Sequence, residues 1–397
     1  MYAHYNVNPT SIPTHPQSYD THSTSRMTDV PVSFLLNWHA TSYHAPIFLA
    51  QAKGYFKEEG VSVAILEPND PSDCAGLVGR GTMDMGVKAM VHTIAAKANG
   101  HGVTSVGCIL DENNFKGLVL SLAPDREDVL EKPFTGLLYL EGGVDGKGNG
   151  ITNDFRSLKG KRIGYVGYFG AVQVRELAEK YGMDPEKDFE LIRVGMDVVG
   201  AILDGRIDAG VGIGAVNGIE LEAWCTANGR PETDVKLIRI DELAELGCCC
   251  FCSILVLAND DFRAKNPEKV AAVMRAIKRG ADDVFAEPKK AWGDVCKFKK
   301  TFRTELFAKI YERCFPFMSR DLRNVKRDWT KVSAYCHRIG VCDANFTPNY
   351  TNEFIQWEQL PEPADPAANQ VLMAKKQDEV RVKGGVLTAA QPVAVAA

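Results

Sequence analysis

The chain has 397 residues, is 45% hydrophobic and 24% charged, and carries a formal net charge of −5. This composition is typical of a globular protein with roughly two to three domain-sized units, and the slightly acidic balance argues against nucleic acid or an anionic membrane as the main partner. No apolar run reaches the roughly 18 residues that a membrane-spanning helix needs. The start of the chain lacks the apolar segment of a secretory signal. With 11 cysteines and no such signal, we expect a cytoplasmic protein whose thiols stay free.

Between two polar ends, short apolar runs alternate with amphipathic stretches, which predicts an α/β fold with largely parallel sheets. The polar residues 1–29 predict a disordered leader, and the proline- and alanine-rich residues 361–397 predict a flexible tail. In chain order, we predict strands at 32–36, 61–66, 84–87, 162–166 and 207–213, and helices from Pro46, from near Lys88, from Val172 and from Pro267.

The last of these helices has the clearest pattern. Asn266 and Pro267 supply an N-cap residue and a first-turn proline. An apolar stripe at helical spacing then predicts a buried face, formed by Val270, Val273, Met274, Ile277, Val284 and Phe285.

The order of elements resembles that of periplasmic-binding-protein-like domains. The resemblance is carried by residues 49–56, 60–63, 81–86 and 157–164. It implies two α/β lobes with a ligand cleft between them, and a chain that crosses between the lobes near residues 110–135 and 245–258. We therefore expect a first lobe from 30–112 and 248–360, an insert at 113–132, and a second lobe from 133–247.

Lys88 and His92 form the first candidate site. If they lie on one helix, their spacing of four places both side chains on one face. The positive end of the helix dipole disfavours a charged lysine near the helix start, so this amine could act as a nucleophile toward an aldehyde, within reach of the imidazole. On spacing alone, a solvated helix face is the more common explanation for such a pair.

Gly167-Tyr168-Phe169-Gly170 follows a predicted strand and precedes a predicted helix. A glycine-flanked turn of this kind can present backbone N–H groups to a phosphate. The alternative is a simple strand-to-helix turn.

Cysteine is concentrated in one short run, Cys248-Cys249-Cys250-Phe251-Cys252. In an extended strand Cys248, Cys250 and Cys252 share one face, and Cys249 lies on the other. Thiolates in this arrangement could ligate a soft or borderline metal. A buried strand in which cysteine serves as a small apolar residue remains the alternative.

Asn37-Trp38 ends the first predicted strand, where folds of this class direct side chains into the cleft. The indole could stack on a heteroaromatic ring, and the amide could bind a polar ring substituent. A tryptophan at the core edge beside a turn asparagine is the alternative.

Together these motifs resemble the hydroxymethylpyrimidine phosphate synthases of thiamine biosynthesis, of the fungal and plant type, over about residues 30–360. The similar segments are 34–38, 64–73, 84–93, 164–167, 246–252 and 327–329. The resemblance implies that pyridoxal 5′-phosphate is a substrate, held as an imine by Lys88, and that His92 is consumed as the donor of part of the pyrimidine ring.

The same resemblance implies a single-turnover enzyme that requires iron and oxygen, with the motif at Cys248, Cys249, Cys250 and Cys252 tied to activity and a candidate iron site. It also assigns Asn37, Trp38 and Gly167-Tyr168-Phe169-Gly170 to substrate binding. We expect a homodimer that acts on a small molecule, with neither nucleic acid nor a membrane as partner.

This sequence departs from the family pattern at three places. Tyr168 and Ala171 replace a glutamate and a lysine in the phosphate turn. Asp197 and the segment 214–218 differ in the second lobe, and residues 113–132 interrupt an expected join at an interlobe crossing. A non-catalytic pyrimidine- or pyridine-binding protein of the same fold, and a paralogue with an altered substrate, are therefore the alternative functions.

Overall fold

The computed structural model describes residues 30–111, 134–240 and 252–359. Four of the sequence predictions fall outside these residues: the leader at 1–29, the insert at 113–132, the metal ligands Cys248, Cys249 and Cys250, and the tail at 361–397.

Ten strands in the described residues form two sheets of five strands each. The predicted strand starts and ends agree with the observed ones to within two residues, because each run of β-branched and apolar residues is short and bounded by turn residues. The strands are β1 (Val32–Leu35), β2 (Val63–Leu66), β3 (Met85–Ala89), β4 (Val103–Leu110), β5 (Thr135–Leu140), β6 (Arg162–Tyr165), β7 (Glu190–Arg193), β8 (Ala209–Ile213), β9 (Val235–Arg239) and β10 (Ile254–Asn259).

Helices pack around both sheets, and none in the described part of the chain is long and apolar enough to cross a bilayer. The α-helices are α1 (Ala45–Ala52), α2 (Tyr55–Glu58), α3 (Cys74–Gly79), α4 (Met90–Ala98), α5 (Tyr168–Lys180), α6 (Val198–Leu203), α7 (Ile219–Ala227), α8 (Asp260–Lys265), α9 (Pro267–Ala286), α10 (Pro288–Phe298), α11 (Glu305–Cys314) and α12 (Lys326–Arg338).

In each of the two described sheets four of the five strands run in one direction and one strand runs against them, so the sheets are largely parallel in strand direction but mixed in pairing. The first sheet has the order β2-β1-β3-β10-β4 and the second β7-β6-β8-β5-β9. In the first sheet β1 pairs in parallel with β2 and β3, whereas β10 runs antiparallel to β3 and β4. In the second, β5 runs antiparallel to β8 and β9. The strand that runs against its neighbours is β10 in the first sheet and β5 in the second. Each is the first strand after the chain changes sheet.

Each sheet marks one lobe, which we call the first and second lobe. The chain passes from the first sheet to the second between Leu110 and Thr135, and returns between Arg239 and Ile254. One buried apolar cluster contains residues of both lobes, among them Leu255 from the first sheet and Leu137 from the second. The lobes therefore share a core in this structure, and burial of this apolar surface stabilises their contact.

Helix α9 starts at Pro267 and carries the predicted stripe. Its stripe residues Val270, Val273, Met274, Ile277 and Val284 are fully buried, and Phe285 is half-buried. On the same helix Gly280 meets α1 so closely that a Cβ atom there would lie 2.1 Å from the carbonyl oxygen of Pro46. Only a residue without a side chain permits this approach of the two helices.

We predict that Gly280→Ala destabilises the protein by about 1–3 kcal/mol, because α1 and α9 must move apart to admit the methyl group. Gly293→Ala is the matched control: Gly293 is also helical, in α10, and a Cβ there meets nothing within 4 Å. The control should be neutral or more stable by about 0.5–1 kcal/mol, since alanine favours helix. Urea unfolding of both variants measures the difference, and equal stabilities would contradict the prediction.

Candidate functional site

Lys88 lies in strand β3, so the expectation that it shares a helix with His92 is wrong. Its strand position is fixed by pairing with Leu255 of β10, a contact between residues far apart in sequence. The side chain is only 6% exposed. Its Nζ donates a hydrogen bond of 2.5 Å to the carbonyl oxygen of Pro71.

Burial lowers the pKa of Lys88 from its usual value, because the charged ammonium loses its hydration. The nearby thiols Cys74 and Cys252 and the carboxylates Asp70 and Asp73 act in the opposite direction without reversing the shift. A larger fraction of this amine is therefore neutral at a given pH than for an exposed lysine. The neutral form is the nucleophilic one.

His92 lies in the first turn of α4, just after β3 ends at Ala89. Its ring meets Phe169 of the second lobe edge to face, with 4.8 Å between the ring centroids. Burial and then the positive charge of Lys88 hold the pKa of His92 well below its usual range. The imidazole is therefore neutral near pH 7. The turn between β3 and α4 places it close enough to Lys88 for the lysine charge to affect its pKa.

Gly167 is the N-cap residue of α5, and Tyr168, Phe169 and Gly170 form the first turn of that helix. The helix thus begins before Val172, its predicted start: Gly167 precedes the helix as predicted, whereas Tyr168, Phe169 and Gly170 lie inside it. Buried Phe169 anchors the turn in the shared core, whereas Tyr168 is 61% exposed. Gly167 has no side chain that could cap the helix. The positive end of the helix dipole therefore faces the first lobe without a side-chain cap.

The two lobes meet beside this helix start. A Cβ on Gly167 would lie 2.6 Å from the Oγ atom of Ser72, which belongs to the first lobe. Arg193 of β7 donates a 2.5 Å hydrogen bond to Asp70, and Asp70 also accepts from the backbone N–H of Ser72 at 2.9 Å. Although desolvation raises the pKa of Asp70, these hydrogen bonds lower it overall. The sequence analysis missed both Ser72 and Arg193, since neither belongs to a motif with a known chemical role.

Asn37 is buried and its amide is largely occupied within the first lobe. Its amide nitrogen donates to the Tyr43 hydroxyl at 3.1 Å, and its Oδ1 accepts from Nε2 of His44 at 3.0 Å. The backbone N–H of Thr41 donates to Nδ1 of His44 at 3.3 Å, which assigns the ring proton to Nε2. Burial lowers the pKa of His44 to about 3. These two bonds use the amide oxygen and one of the two amide hydrogens of Asn37.

Trp38 is 7% exposed and belongs to a buried apolar cluster formed mostly by first-lobe residues. Its indole meets His39 edge to face at 6.3 Å. The structure thus places Asn37 and Trp38 at the end of β1, as expected, but with the indole packed in the core. The buried partner His44 belongs to none of the motifs found in the sequence, so its role could not be predicted.

Cys252 is the one member of the cysteine motif within the described residues, and it is half-buried. The hydroxyl of Thr135 donates to its thiol at 3.6 Å. Across residues 30–111, 134–240 and 252–359, no three His, Cys, Asp or Glu side chains are grouped so that they could hold a metal ion. The described residues therefore supply no complete iron site.

The altered segment of the second lobe, Gly214–Gly218, forms one turn of π-helix. It packs against the first lobe, where the thiol of Cys314 lies 3.9 Å from the carbonyl oxygen of Ala215. Asp197, the other departure, forms an ion pair with Arg206 at the surface. Neither Asp197 nor the segment Gly214–Gly218 is among the described contacts of Lys88 or His92.

Comparison with solved structures agrees with the two-lobed fold. A Candida albicans gene product, described as exhibiting the generic periplasmic binding protein structural fold, superposes with a TM-score of 0.56 at 13% identity, over 83% of this chain and 98% of that chain. The predicted fold class is therefore confirmed.

Comparison with known sequences identifies much closer relatives. The 4-amino-5-hydroxymethyl-2-methylpyrimidine phosphate synthase of Uromyces fabae is 52% identical over 360 residues, which is 90% of this chain and 98% of that protein. The protein of the same name from Aspergillus parasiticus is 51% identical over 354 residues, covering 89% and 96%. The family profile described as NMT1/THI5 like matches residues 41–123 and 128–291. The chain thus belongs to the NMT1/THI5-like family, as the motifs around Lys88 and Cys252 predicted.

Proposed function

We propose that this chain synthesises hydroxymethylpyrimidine phosphate, the pyrimidine precursor of thiamine, from pyridoxal 5′-phosphate and its own His92 in a single turnover. The names of its relatives support the product. The observation that carries the proposal is the buried Lys88 amine, with its lowered pKa, beside a neutral His92. This pair combines an amine that can capture an aldehyde with a ring that can supply nitrogen and carbon.

Lys88 binds the substrate covalently in this proposal. Its neutral amine attacks the aldehyde carbon of pyridoxal phosphate, and the imine forms with loss of one water. The amine must first leave the Pro71 carbonyl, its present hydrogen-bond partner. Because the strand fixes the lysine backbone, this release is a side-chain motion.

The start of α5 is the proposed site for the phosphate group. A helix of 13 residues with an uncapped N-terminus presents backbone N–H groups and the positive end of its dipole to an anion. Phe169 links this turn to His92 by its ring contact. The phosphate-binding turn and the donor histidine are therefore in direct contact across the lobes.

His92 is the proposed ring donor. Phe169 holds the imidazole edge to face, and its neutral state leaves a ring nitrogen lone pair available. Iron and oxygen enter the proposal as the oxidising system that ring fragmentation needs, with Cys248, Cys249, Cys250 and Cys252 as candidate ligands. The described residues contain no complete metal site.

The first test concerns Lys88. Incubation with pyridoxal phosphate followed by borohydride should fix one adduct per chain on the peptide that contains Lys88. Lys88→Arg should abolish it, because the guanidinium keeps the charge but forms no imine, whereas Lys97→Arg, on α4 and ion-paired with Asp260, should keep it. An adduct that persists in Lys88→Arg would contradict the assignment.

The pH dependence of the same reaction gives an independent check. The amine is reactive when deprotonated, so imine formation should rise with pH through the lowered pKa of Lys88. It should reach its plateau below the range of an ordinary lysine, whose pKa is about 10.4. A midpoint at the ordinary value would show that burial does not activate this amine.

The second test separates a consumed histidine from a general base. After aerobic incubation with iron and pyridoxal phosphate, the peptide containing His92 should change mass, and product should not exceed one equivalent per chain. His92→Asn should still bind the substrate but make no pyrimidine, and His101→Asn should behave as wild type. Several turnovers with His92 intact would refute the single-turnover mechanism, and an unchanged mass in every condition would favour the binding-protein alternative.

A third test addresses the cysteine motif. If Cys248, Cys250 and Cys252 ligate iron, serine at each position should lower the iron content of the folded protein, because a hydroxyl is a poor ligand for soft metals. Cys249→Ser should lose less iron, since this residue is expected on the opposite strand face. Equal iron content in all four variants, measured by elemental analysis, would remove the motif as the metal site.

A further inference from the structure

Ser253 immediately precedes strand β10 and is only 2% exposed. Its hydroxyl is shielded from solvent and has no hydrogen-bond partner in the part of the chain that the structure describes. Nearly all buried polar groups in folded proteins are paired, and an unpaired hydroxyl is unfavourable unless a ligand or water completes it. Ser253 is therefore a candidate contact for a molecule bound at the neighbouring site.

Strand pairing places the Ser253 side chain on the same face of the first sheet as Lys88. In the antiparallel pair of β3 and β10, Lys88 lies opposite Leu255. The backbone N–H of Met90 donates to the Ser253 carbonyl oxygen at 3.0 Å, so the pairing continues to Ser253. Alternate residues along a strand share a face. Lys88 and Ser253 are therefore diagonal neighbours, which lie roughly 7–8 Å apart and within reach of a long side chain.

This face of the sheet is the one that carries the proposed site. Leu255 and Met90, the residue opposite Ser253, both belong to the apolar cluster that contains residues of both lobes. Phe169 belongs to the same cluster, and its ring contacts His92. The Ser253 hydroxyl is thus buried on the side of the sheet where the reactive pair and the second lobe meet.

Cys252, the residue before Ser253, links this segment to the tip of the lysine. Its thiol is close enough to the Lys88 amine to affect the pKa of that amine. A thiol is only a weak hydrogen-bond donor, and the Pro71 carbonyl that holds the amine can only accept. The Ser253 hydroxyl adds what these neighbours lack, a good donor that no described residue uses.

We propose that the Ser253 hydroxyl donates a hydrogen bond to the aldehyde oxygen of the substrate while the Lys88 amine adds to the aldehyde carbon. This inference rests on the proposed function, because it takes pyridoxal phosphate as the substrate and Lys88 as its nucleophile. The aldehyde oxygen is one bond, about 1.2 Å, from the carbon that the amine attacks. It is therefore the substrate atom that a donor beside the lysine is placed to meet.

The hydroxyl acts in the addition step. The bond between Nζ and the aldehyde carbon forms as the second carbon–oxygen bond opens, and the oxygen gains negative charge that a hydrogen bond stabilises. One amine proton moves to this oxygen, and the resulting hydroxyl group leaves with the other amine proton as water, which yields the imine. Because the oxygen departs, Ser253 speeds formation and hydrolysis of the imine alike without stabilising the imine itself.

Rates of imine formation test the proposal. Pyridoxal phosphate at several concentrations is mixed with wild type and with Ser253→Ala, and imine absorbance gives the rate of formation, the rate of loss and the Kd. Both rates should fall by about tenfold to a hundredfold, as expected for one lost hydrogen bond to a charged oxygen. The Kd should be unchanged, which also shows that the variant is folded.

Ser333→Ala is the matched control, since Ser333 of α12 likewise has a shielded hydroxyl without a partner in the described residues. It should form the imine at the wild-type rates. Unchanged rates in Ser253→Ala would overturn the proposal, and so would a weaker Kd at an unchanged rate of formation, which would place the hydroxyl on another substrate atom. Either result would leave the proposed function intact, whereas a wild-type chain that forms no imine would overturn both.

Stability without substrate gives a second check. Ser253→Ala should unfold at the same urea concentration as wild type or at a higher one, because the substitution removes a buried hydroxyl that has no partner. A clearly lower midpoint would show that the hydroxyl is already paired within the fold, and it would overturn the proposal.

Discussion

The position of Lys88 in the sheet is the constraint on which the rest of the site depends. Strand β3 is the central strand of the first sheet, between β1 and β10, and pairing with Leu255 of β10 fixes the backbone of Lys88 there. The side chain has little freedom to reach solvent, so it bonds to the Pro71 carbonyl. Through that hydrogen bond, the segment from Asp70 to Ser72 lies against the Lys88 amine. The same segment contacts the second lobe through the ion pair of Asp70 with Arg193.

The lobe junction is built from contacts of several kinds around that segment. The ion pair Asp70–Arg193, the close approach of Ser72 to Gly167 and the ring contact of His92 with Phe169 all cross between the lobes. An exposed ion pair contributes little to stability by itself. The shared apolar core therefore provides most of the free energy that holds the lobes together, and the polar contacts fix their alignment.

The sequence predicted those features that local pattern determines. The start of α9 at Pro267 and its apolar stripe follow from residues close together in the chain. The placement of Lys88 could not be predicted in this way, because it depends on pairing with Leu255, more than 160 residues away. The early start of α5 depends on burial of Phe169 against the other lobe, and the antiparallel partners β5 and β10 depend on where the chain returns. Each of these features is a case of tertiary contact overriding local propensity.

The family resemblance assigned roles to residues whose function the local pattern left open, but it did not reveal their environment. Ser72 lay inside a matching segment without an assigned role, and His44 carried no motif. Only the fold shows that Ser72 meets Gly167 and that His44 holds Asn37. Sequence identifies which residues are retained, whereas burial and hydrogen bonding decide what each one is able to do.

The contrast between two neutral histidines supports the proposed role of His92 as the consumed donor. His44 is fully buried, and both ring nitrogens hydrogen-bond to Asn37 and Thr41. Destroying that ring would leave buried polar groups without partners, which is strongly destabilising. His92 is half-buried and makes no hydrogen bond through its ring to any residue in the described ranges, and its recorded contact is the face of Phe169. In the proposed reaction this ring could therefore be lost without breaking a hydrogen-bond network among the described residues.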